Sequence, residues 1–277
     1  MSTGPGLAIQ RVAETGSTNS DLLERVRALA AAGAESLEPC VLVAERQSAG
    51  RGRHGRTWHA TPGASLTFSL AWPFERGDLS GLSLAVGTVL ADSLDAAGGS
   101  PRIGLKWPND VWLLDGGVGS DALQGRKLAG VLIETAPLGA RRVAVIGVGL
   151  NVLPQAVAEA ASGCACWAEI EPAATPEAAL ARVVAPLAAA LARFEADGFA
   201  AFAAAFAGRD LLRGRRIVAT GPRGPVEGIA TGVSARGELL LQAGHGIVAV
   251  GSGEIRVRLA DASDAAPGSR QPAGSTC

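Results

Sequence analysis

GRGRHGRTW, Gly50 to Trp58, alternates three glycines with Arg51, Arg53, His54 and Arg56. Glycine lets the backbone turn through positive φ and lets amide N–H groups approach a ligand closely. Arginine adds a planar fork of donors matched to phosphate or carboxylate oxygens. The composition suits an anionic ligand such as a nucleotide phosphate, and it predicts a loop without internal stiffness. Gly50, Gly52 and Gly55 match the G-x-G-x-x-G spacing of dinucleotide-binding turns, but that fingerprint opens a helix. Here Thr57 and Trp58 lead instead to Leu66–Trp72, whose alternation has the period of a half-buried strand. The segment is therefore a loop between strands. Three uses are open for it: a solvated basic turn, an Arg-Gly patch for nucleic acid, or an anion cradle.

The surrounding chain narrows these. Its 277 residues suit one large domain, or one large and one small. A hydrophobic share of 48% supports a sizeable core, and a net charge of -1 makes the basic loop a local feature. A general nucleic-acid coat would want a strongly basic domain. Cys40, Cys164, Cys166 and Cys277 are spaced for neither a disulfide framework nor a zinc site. With only His54, His59 and His245 beside them, reduced thiols in the cytoplasm are expected. The N-terminus has no apolar signal core, and no apolar run reaches membrane-spanning length.

Upstream of the loop, Thr18 followed by Asp21 fits a cap for a helix carrying Leu22, Leu23, Val26, Leu29 and Ala30, ended by Gly33. Ser17, Thr18 and Asn19 either only cap that helix or offer hydroxyl and amide groups to a polar ligand head. Cys40–Ala44 is a short β-like run. Downstream, Ser80 opens a helix with Leu82, Val86, Val89, Leu90 and Leu94, closed by Gly98 and Gly99. IGLKWPNDVWLL, Ile103 to Leu114, reads as two strands about a turn at Pro108 and Asn109, with Lys106, Asn109 and Asp110 near one tip. Asn109 and Asp110 either make the turn or hold a nucleotide hydroxyl or hydrated Mg²⁺. Asp115–Gly125 is a glycine-rich exposed loop. KLAGVLIE, Lys127 to Glu134, returns to strand character. Lys127 is either an edge charge or a cation facing a cleft. RVAVIGVGLNV, Arg142 to Val152, has the pattern of a strand buried on both faces, and Gly147 and Gly149 imply that another backbone or a ligand lies close. Pro154–Pro176 has no pattern. Pro176–Phe206 is helical, with Leu180, Val184, Leu187, Leu191 and Phe194 on one face. Pro186 predicts a kink or two successive helices, and Phe199, Phe202 and Phe206 a further short helix. Arg213–Arg258 has the short strands and glycine turns of a small all-β barrel, and Asp261–Cys277 the composition of a disordered tail.

GSTNS (Gly16–Ser20), AERQSAGRGRHGRTW (Ala44–Trp58), KWPND (Lys106–Asp110), RKLAGVLIE (Arg126–Glu134), GVGLN (Gly147–Asn151) and GEI (Gly253–Ile255) follow one another in that order. Over roughly residues 8 to 258 the chain resembles the biotin protein ligases. The resemblance implies an α+β fold. A mixed-sheet biotin/lipoate ligase-like catalytic domain would occupy residues 1–210 and a small SH3-like β-barrel 211–260, with the tail at 261–277. It implies activation of biotin by MgATP to biotinyl-5′-AMP with release of pyrophosphate. Biotin then passes to a lysine of a biotin carboxyl carrier domain of a biotin-dependent carboxylase.

Carried over motif by motif, Ser17, Thr18, Asn19 and Gln47 meet the polar rings of biotin, with Gly130 and Gly149 also on the biotin side. Arg51 and Gly52 sit toward the valeryl chain and adenylate. Arg53 and Arg56 approach phosphate, and Trp58 the adenylate. Lys127 bridges the biotin carboxylate and α-phosphate. Lys127 and Arg53 are the expected catalytic residues. Asn109, Asp110 and Asn151 serve the nucleotide, with Asp110 toward Mg²⁺. The chemistry fits these residue types: two anions must be joined against Coulomb repulsion, and cations stabilise the developing charge. The product is a mixed anhydride, which a closing loop shields from water. No residue stands out as general base for the attacking lysine.

Three departures stand out. His54 stands where the family commonly has arginine, which weakens phosphate contact at that position or makes it pH-dependent near neutrality. The Val111–Gly125 segment is longer than in the family, and Pro186 interrupts a helix. Only about fifteen residues precede GSTNS, too few for the family's helix-turn-helix domain, so no nucleic-acid partner is expected. A monomer or weak homodimer without membrane attachment is expected. Two alternatives remain. One is a lipoate or octanoate protein ligase. The other is an RNA-binding protein using the Arg-Gly loop, against which stand the absence of tyrosine and of an aromatic base-stacking surface.

Overall fold

A computed structural model of the chain describes residues 7–75, 77–95, 101–118, 125–155, 164–222, 224–244, 246–253 and 256–259. The sequence expectations for Gly98 and Gly99, His245, Glu254 and Ile255 of the GEI motif, and the 261–277 tail lie outside these residues.

Seven strands form the larger sheet: β1 (Ala8–Thr15), β2 (Cys40–Gln47), β3 (Ser65–Phe74), β4 (Ile103–Lys106), β5 (Asp110–Leu114), β6 (Gly125–Leu138) and β7 (Arg141–Asn151). Their order is β1-β2-β3-β7-β6-β5-β4. Only β1 and β2 run parallel, so the sheet is mixed. Helix α1 (Thr18–Ala31) covers one face; α2 (Leu82–Leu94) and α3 (Pro176–Asp197) cover the other. The alternation along β7 produces these layers. Val143 and Val145 pack under α1 with Leu22, Leu23 and Val26, while Ala144, Ile146, Val148 and Leu150 join the core beneath α2 and α3. Period-2 side chains on a strand covered on both faces must be apolar on both.

Several expectations are corrected. β3 is buried on both faces, because Thr67 and Ser69 have partners: Thr67 Oγ1 donates to Ala44 O at 2.9 Å, and Ser69 Oγ to Asn19 Oδ1 at 2.6 Å. Polar groups are tolerated inside when hydrogen-bonded. Thr18 does not cap α1. It lies within the helix, preceded by Ser17, while Asp21 accepts from Thr15 Oγ1. Ser80 lies before α2, whose N-cap is Gly81. α3 runs unbroken past Pro186, whose ring lies on the exposed face. Its N-cap Thr175 accepts from Ala178 N at 3.1 Å, and Leu180, Val183, Val184, Leu187, Leu191 and Phe194 are buried along the other face. That packing outweighs the loss of one backbone donor. A 3₁₀ turn over Gly198–Phe202 and α4 (Ala203–Ala207) follow. The patternless stretch before α3 contains a 3₁₀ turn at Trp167–Glu169, with Trp167 fully buried and its Nε1 donating to Leu94 O at 2.9 Å.

Five further strands form a separate sheet: β8 (Arg216–Gly221), β9 (Gly224–Val233), β10 (Leu239–Ala243), β11 (Gly246–Val250) and β12 (Arg256–Leu259), in the order β11-β10-β9-β8-β12. Ile217, Ala219, Ala230, Leu239 and Leu241 point into a core continuous with that beneath α2 and α3. Trp107 Nε1 donates to Gly237 O at 3.0 Å, fastening the β4–β5 turn to this sheet.

One ion pair ties the layers at their rim. Arg209 Nη1 lies 2.6 Å from Asp95 Oδ2, and Asp95 also accepts from Arg102 N and Ile103 N. The Asp95 side chain is 7% exposed. Removing one member of a buried pair leaves the other uncompensated. Arg209→Leu is therefore expected to destabilise the fold by about 3 kcal/mol, read as a lower urea midpoint at unchanged m-value.

Candidate functional site

The Gly50–Trp58 loop is a small hairpin. Trp58 N donates to Gly50 O at 2.9 Å, Gly52 N to Arg56 O at 2.7 Å, and Arg51 pairs with Thr57. A 3₁₀ turn at Arg53–Gly55 closes it, with His54 in the left-handed region at φ 56. Histidine is among the residues that adopt this conformation more readily than most. The expectation of a loop without internal stiffness is thus revised: backbone pairing between its two limbs gives it a shape.

The hairpin forms one wall of a cavity of about 210 Å³. Ser17, Thr18 and Asn19 at the start of α1, Gln47 at the end of β2, and Lys106, Asn109 and Asp110 at the β4–β5 turn line it. Lys127 and Gly130 on β6, Gly149 on β7, and Arg51, Gly52, Arg53, Arg56 and Trp58 of the hairpin complete the set of sequence-predicted residues that face it. Asn151 does not. It is buried behind Lys127, its Nδ2 donating to Lys127 O at 3.3 Å and its Oδ1 accepting from Gln155 Nε2 at 3.1 Å. It supports the lysine backbone rather than the cavity wall.

Glycine makes the floor possible. A Cβ on Gly147 would fall 2.3 Å from Asn19 Oδ1, and one on Gly149 2.2 Å from Trp58 Cε2. The two breaks in the apolar β7 run are the seats of those side chains.

At one end a polar cluster is closely constrained. Gln47 Oε1 accepts from Thr18 N at 2.8 Å and from Thr18 Oγ1 at 3.1 Å. Thr18 Oγ1 and Ser69 Oγ are 2.7 Å apart, and Asn19 Nδ2 donates to Leu132 O at 3.3 Å and Glu134 Oε2 at 3.0 Å. These contacts fix both amide orientations. Two hydroxyl hydrogens then serve three oxygen–oxygen contacts, so the cluster gains from a ligand that supplies N–H donors.

The other end is cationic. Lys127 Nζ lies 2.6 Å from Asp110 Oδ1 and 5.6 Å from the centroid of the Trp58 ring. Lys106 Nζ sits 4.5 Å over the Trp112 ring, and burial holds its amine below the usual lysine range, helped by Lys127 and Arg56 and opposed by Asp110. Arg53 Nη1 reaches Asn109 Oδ1 at 3.4 Å, and its Nη2 donates to the carbonyls of Ser252 and Gly253. Burial lowers its guanidinium from the ordinary value, against Asp110. Arg51 pairs with Glu134.

Sequence reasoning did not single out Ser69, Glu134, Gly147, Ser252 or Gly253 as site residues. Lys106 stood in a quoted motif, and only the turn residues beside it were given roles. Among the described residues no group of three His, Cys, Asp or Glu side chains could hold a metal, and Cys40, Cys164 and Cys166 are free thiols. No helix among them is long and apolar enough to cross a membrane.

Residues 29–151 match the biotin/lipoate A/B protein ligase family, and residues 213–258 the biotin protein ligase C terminal domain. The sequence is 36% identical over 258 residues to a biotin–(acetyl-CoA-carboxylase) ligase of Mycobacterium tuberculosis, covering 88% of this chain and 86% of that one. It is 34% identical over 251 residues to the bifunctional ligase/repressor BirA of Escherichia coli, covering 88% and 72%. The solved structure of a biotin protein ligase from Aquifex aeolicus in complex with biotin and ATP is similar with a TM-score of 0.74 at 26% identity, over 91% of this chain and 99% of that one. The chain belongs to the biotin protein ligase family.

Proposed function

We propose that this protein activates biotin with ATP and transfers it to a lysine of a biotin carboxyl carrier domain. The observation that carries the reading is the division of one cavity into a donor-short polar end and a cationic end holding Lys127 and Arg53. A urea ring supplies N–H groups to the first, and a carboxylate and a phosphate answer the second. In the first step a biotin carboxylate oxygen attacks the α-phosphorus, the bond to the β-phosphate breaks, and pyrophosphate leaves. Lys127 lies between the two anions and holds them in reach. Arg53 and Arg56 face the phosphates, and Trp58 and Asn109 the nucleoside. In the second step the acceptor amine, having lost a proton, attacks the acyl carbon, and AMP leaves. No side chain is assigned as the base.

Asp110 offers one carboxylate, with no cage of further acidic or histidine ligands among the described residues, the donor set of a Mg²⁺ that arrives with ATP and keeps much of its water. Bound there, it would neutralise phosphate charge. We assign catalysis to residues 1–210 and the SH3-like unit to 211–260. The five-stranded sheet lies within the second span, and its Val257 reaches the cavity.

Labelled biotin should appear on a carrier domain when MgATP is present. Folded protein that labels none would overturn the reading, and calorimetry with biotin against lipoate separates the two ligase types. Gly147→Ala is expected to weaken biotin binding by about tenfold to a hundredfold. The new methyl displaces the Asn19 amide from its place, and a lost buried hydrogen bond costs about 1–3 kcal/mol. Unchanged affinity by calorimetry would count against the placement of the ring end.

A further inference from the structure

We infer that Glu134 is a positioning residue that couples occupation of the polar end of the cavity to the order of the cationic hairpin. This rests on the reading of that end as the seat of the biotin ring.

Glu134 stands on β6, outside the cavity lining, with its side chain 27% exposed. Its two oxygens serve two different parts of the site. Oε2 accepts from Asn19 Nδ2 at 3.0 Å, and Oε1 accepts from the Arg51 guanidinium. The Asn19 amide is held in turn by Ser69 Oγ at 2.6 Å, Ser69 touches Thr18 Oγ1 at 2.7 Å, and Thr18 meets Gln47 at 2.8 and 3.1 Å. One unbroken chain therefore runs from Gln47, at the root of the hairpin, through the ring-facing groups and back to Arg51 in its first limb. Glu134 is the single link between amide and guanidinium among the described contacts.

A ligand that bonds the Asn19 amide narrows its rotation. The amide narrows the carboxylate, and the carboxylate fixes Arg51, whose backbone pairs with Thr57. Glutamine at this position keeps an oxygen for Asn19 and loses the charge that holds the guanidinium. The coupling is separable from ring binding for that reason.

The test compares hydrogen exchange of the 50–58 amides with and without biotin. In the parent, biotin should slow exchange there by about tenfold or more, within the usual span of coupling between sites. In Glu134→Gln, calorimetric biotin affinity should fall less than about threefold while the slowing of exchange drops below about threefold. Arg51→Gln should lose the slowing in the same way, and the double variant should lose no more than either single one. Slowing retained in Glu134→Gln, or additive losses in the double variant, would overturn the inference. Should the parent itself bind no biotin, the functional reading fails first, an outcome the calorimetry reports independently of the exchange.

Discussion

Lys127→Ala is expected to lower kcat/KM for adenylate formation by about a thousandfold, at the upper end of what removing one transition-state charge contact costs. The carboxylate and the α-phosphate repel by about 4 kcal/mol at 4 Å in a medium of intermediate dielectric. Lys127 lies where both could be met, its Nζ already 2.6 Å from Asp110, and its backbone is fixed from two sides by Ala165 N at 3.0 Å and Asn151 Nδ2 at 3.3 Å. Arginine should not rescue it. The lysine stem runs close over Gly130, where even an added Cβ would come 3.2 Å from Lys127 Cε, and a planar fork needs more width than that strand leaves. The repulsion exists only before the anhydride forms. Transfer from preformed biotinyl-5′-AMP should therefore fall by a much smaller factor than pyrophosphate exchange. Equal losses in the two steps would show that Lys127 holds the adenyl group generally and does not serve the joining of two anions.

How far such a site could be read beforehand depended on sequence distance. The motifs displayed the residue types, and the periodicity of β7 displayed the layers, because both are local properties of a strand or loop. Gly147 and Gly149 even announced close neighbours. What lay opposite them, Asn19 and Trp58, is set by the stacking of α1 and the hairpin on the sheet, which no local pattern records. Ser69 looked like the wet side of an alternating strand. Its burial follows from partners 50 residues away in sequence. β1 was not recognised because most of its residues are exposed, leaving no apolar face to repeat. Pro186 misled in the opposite sense. A local rule against proline was overruled by an apolar helix face buried from Ala179 to Phe194. Asn151 belonged to a site motif and shares the face of β7 that carries Gly147 and Gly149, yet its amide ended behind Lys127, held by the Lys127 carbonyl and by Gln155, partners that no local pattern records.

Arg53→Gly should let the activated intermediate escape, raising biotinylation of bystander proteins by about tenfold or more at equal adenylate production. One guanidinium joins three parts of the molecule: the hairpin that carries it, Asn109 at the β4–β5 turn, and the Ser252 and Gly253 carbonyls in the bend that follows β11 of the second sheet. These tethers close the cavity on the side that the proposed function gives to the adenylate. Glycine removes all of them and adds backbone freedom at the tip of the hairpin, next to a histidine already held at φ 56. The mixed anhydride would then meet bulk water and bulk amines, so its hydrolysis and its dissociation rate should rise together. Arg53→Lys tests geometry apart from charge, because an ammonium on a single stem cannot span Asn109 and both carbonyls at once. It should leak as well, though less. Adenylate retained by Arg53→Gly as tightly as by the parent would mean that Arg51 and Trp58 close the site unaided and that the contact with the second sheet serves assembly of the two units. The order of leakage, glycine above lysine above parent, is what a tether requires and what a purely electrostatic role for Arg53 would not produce, since lysine would then match the parent.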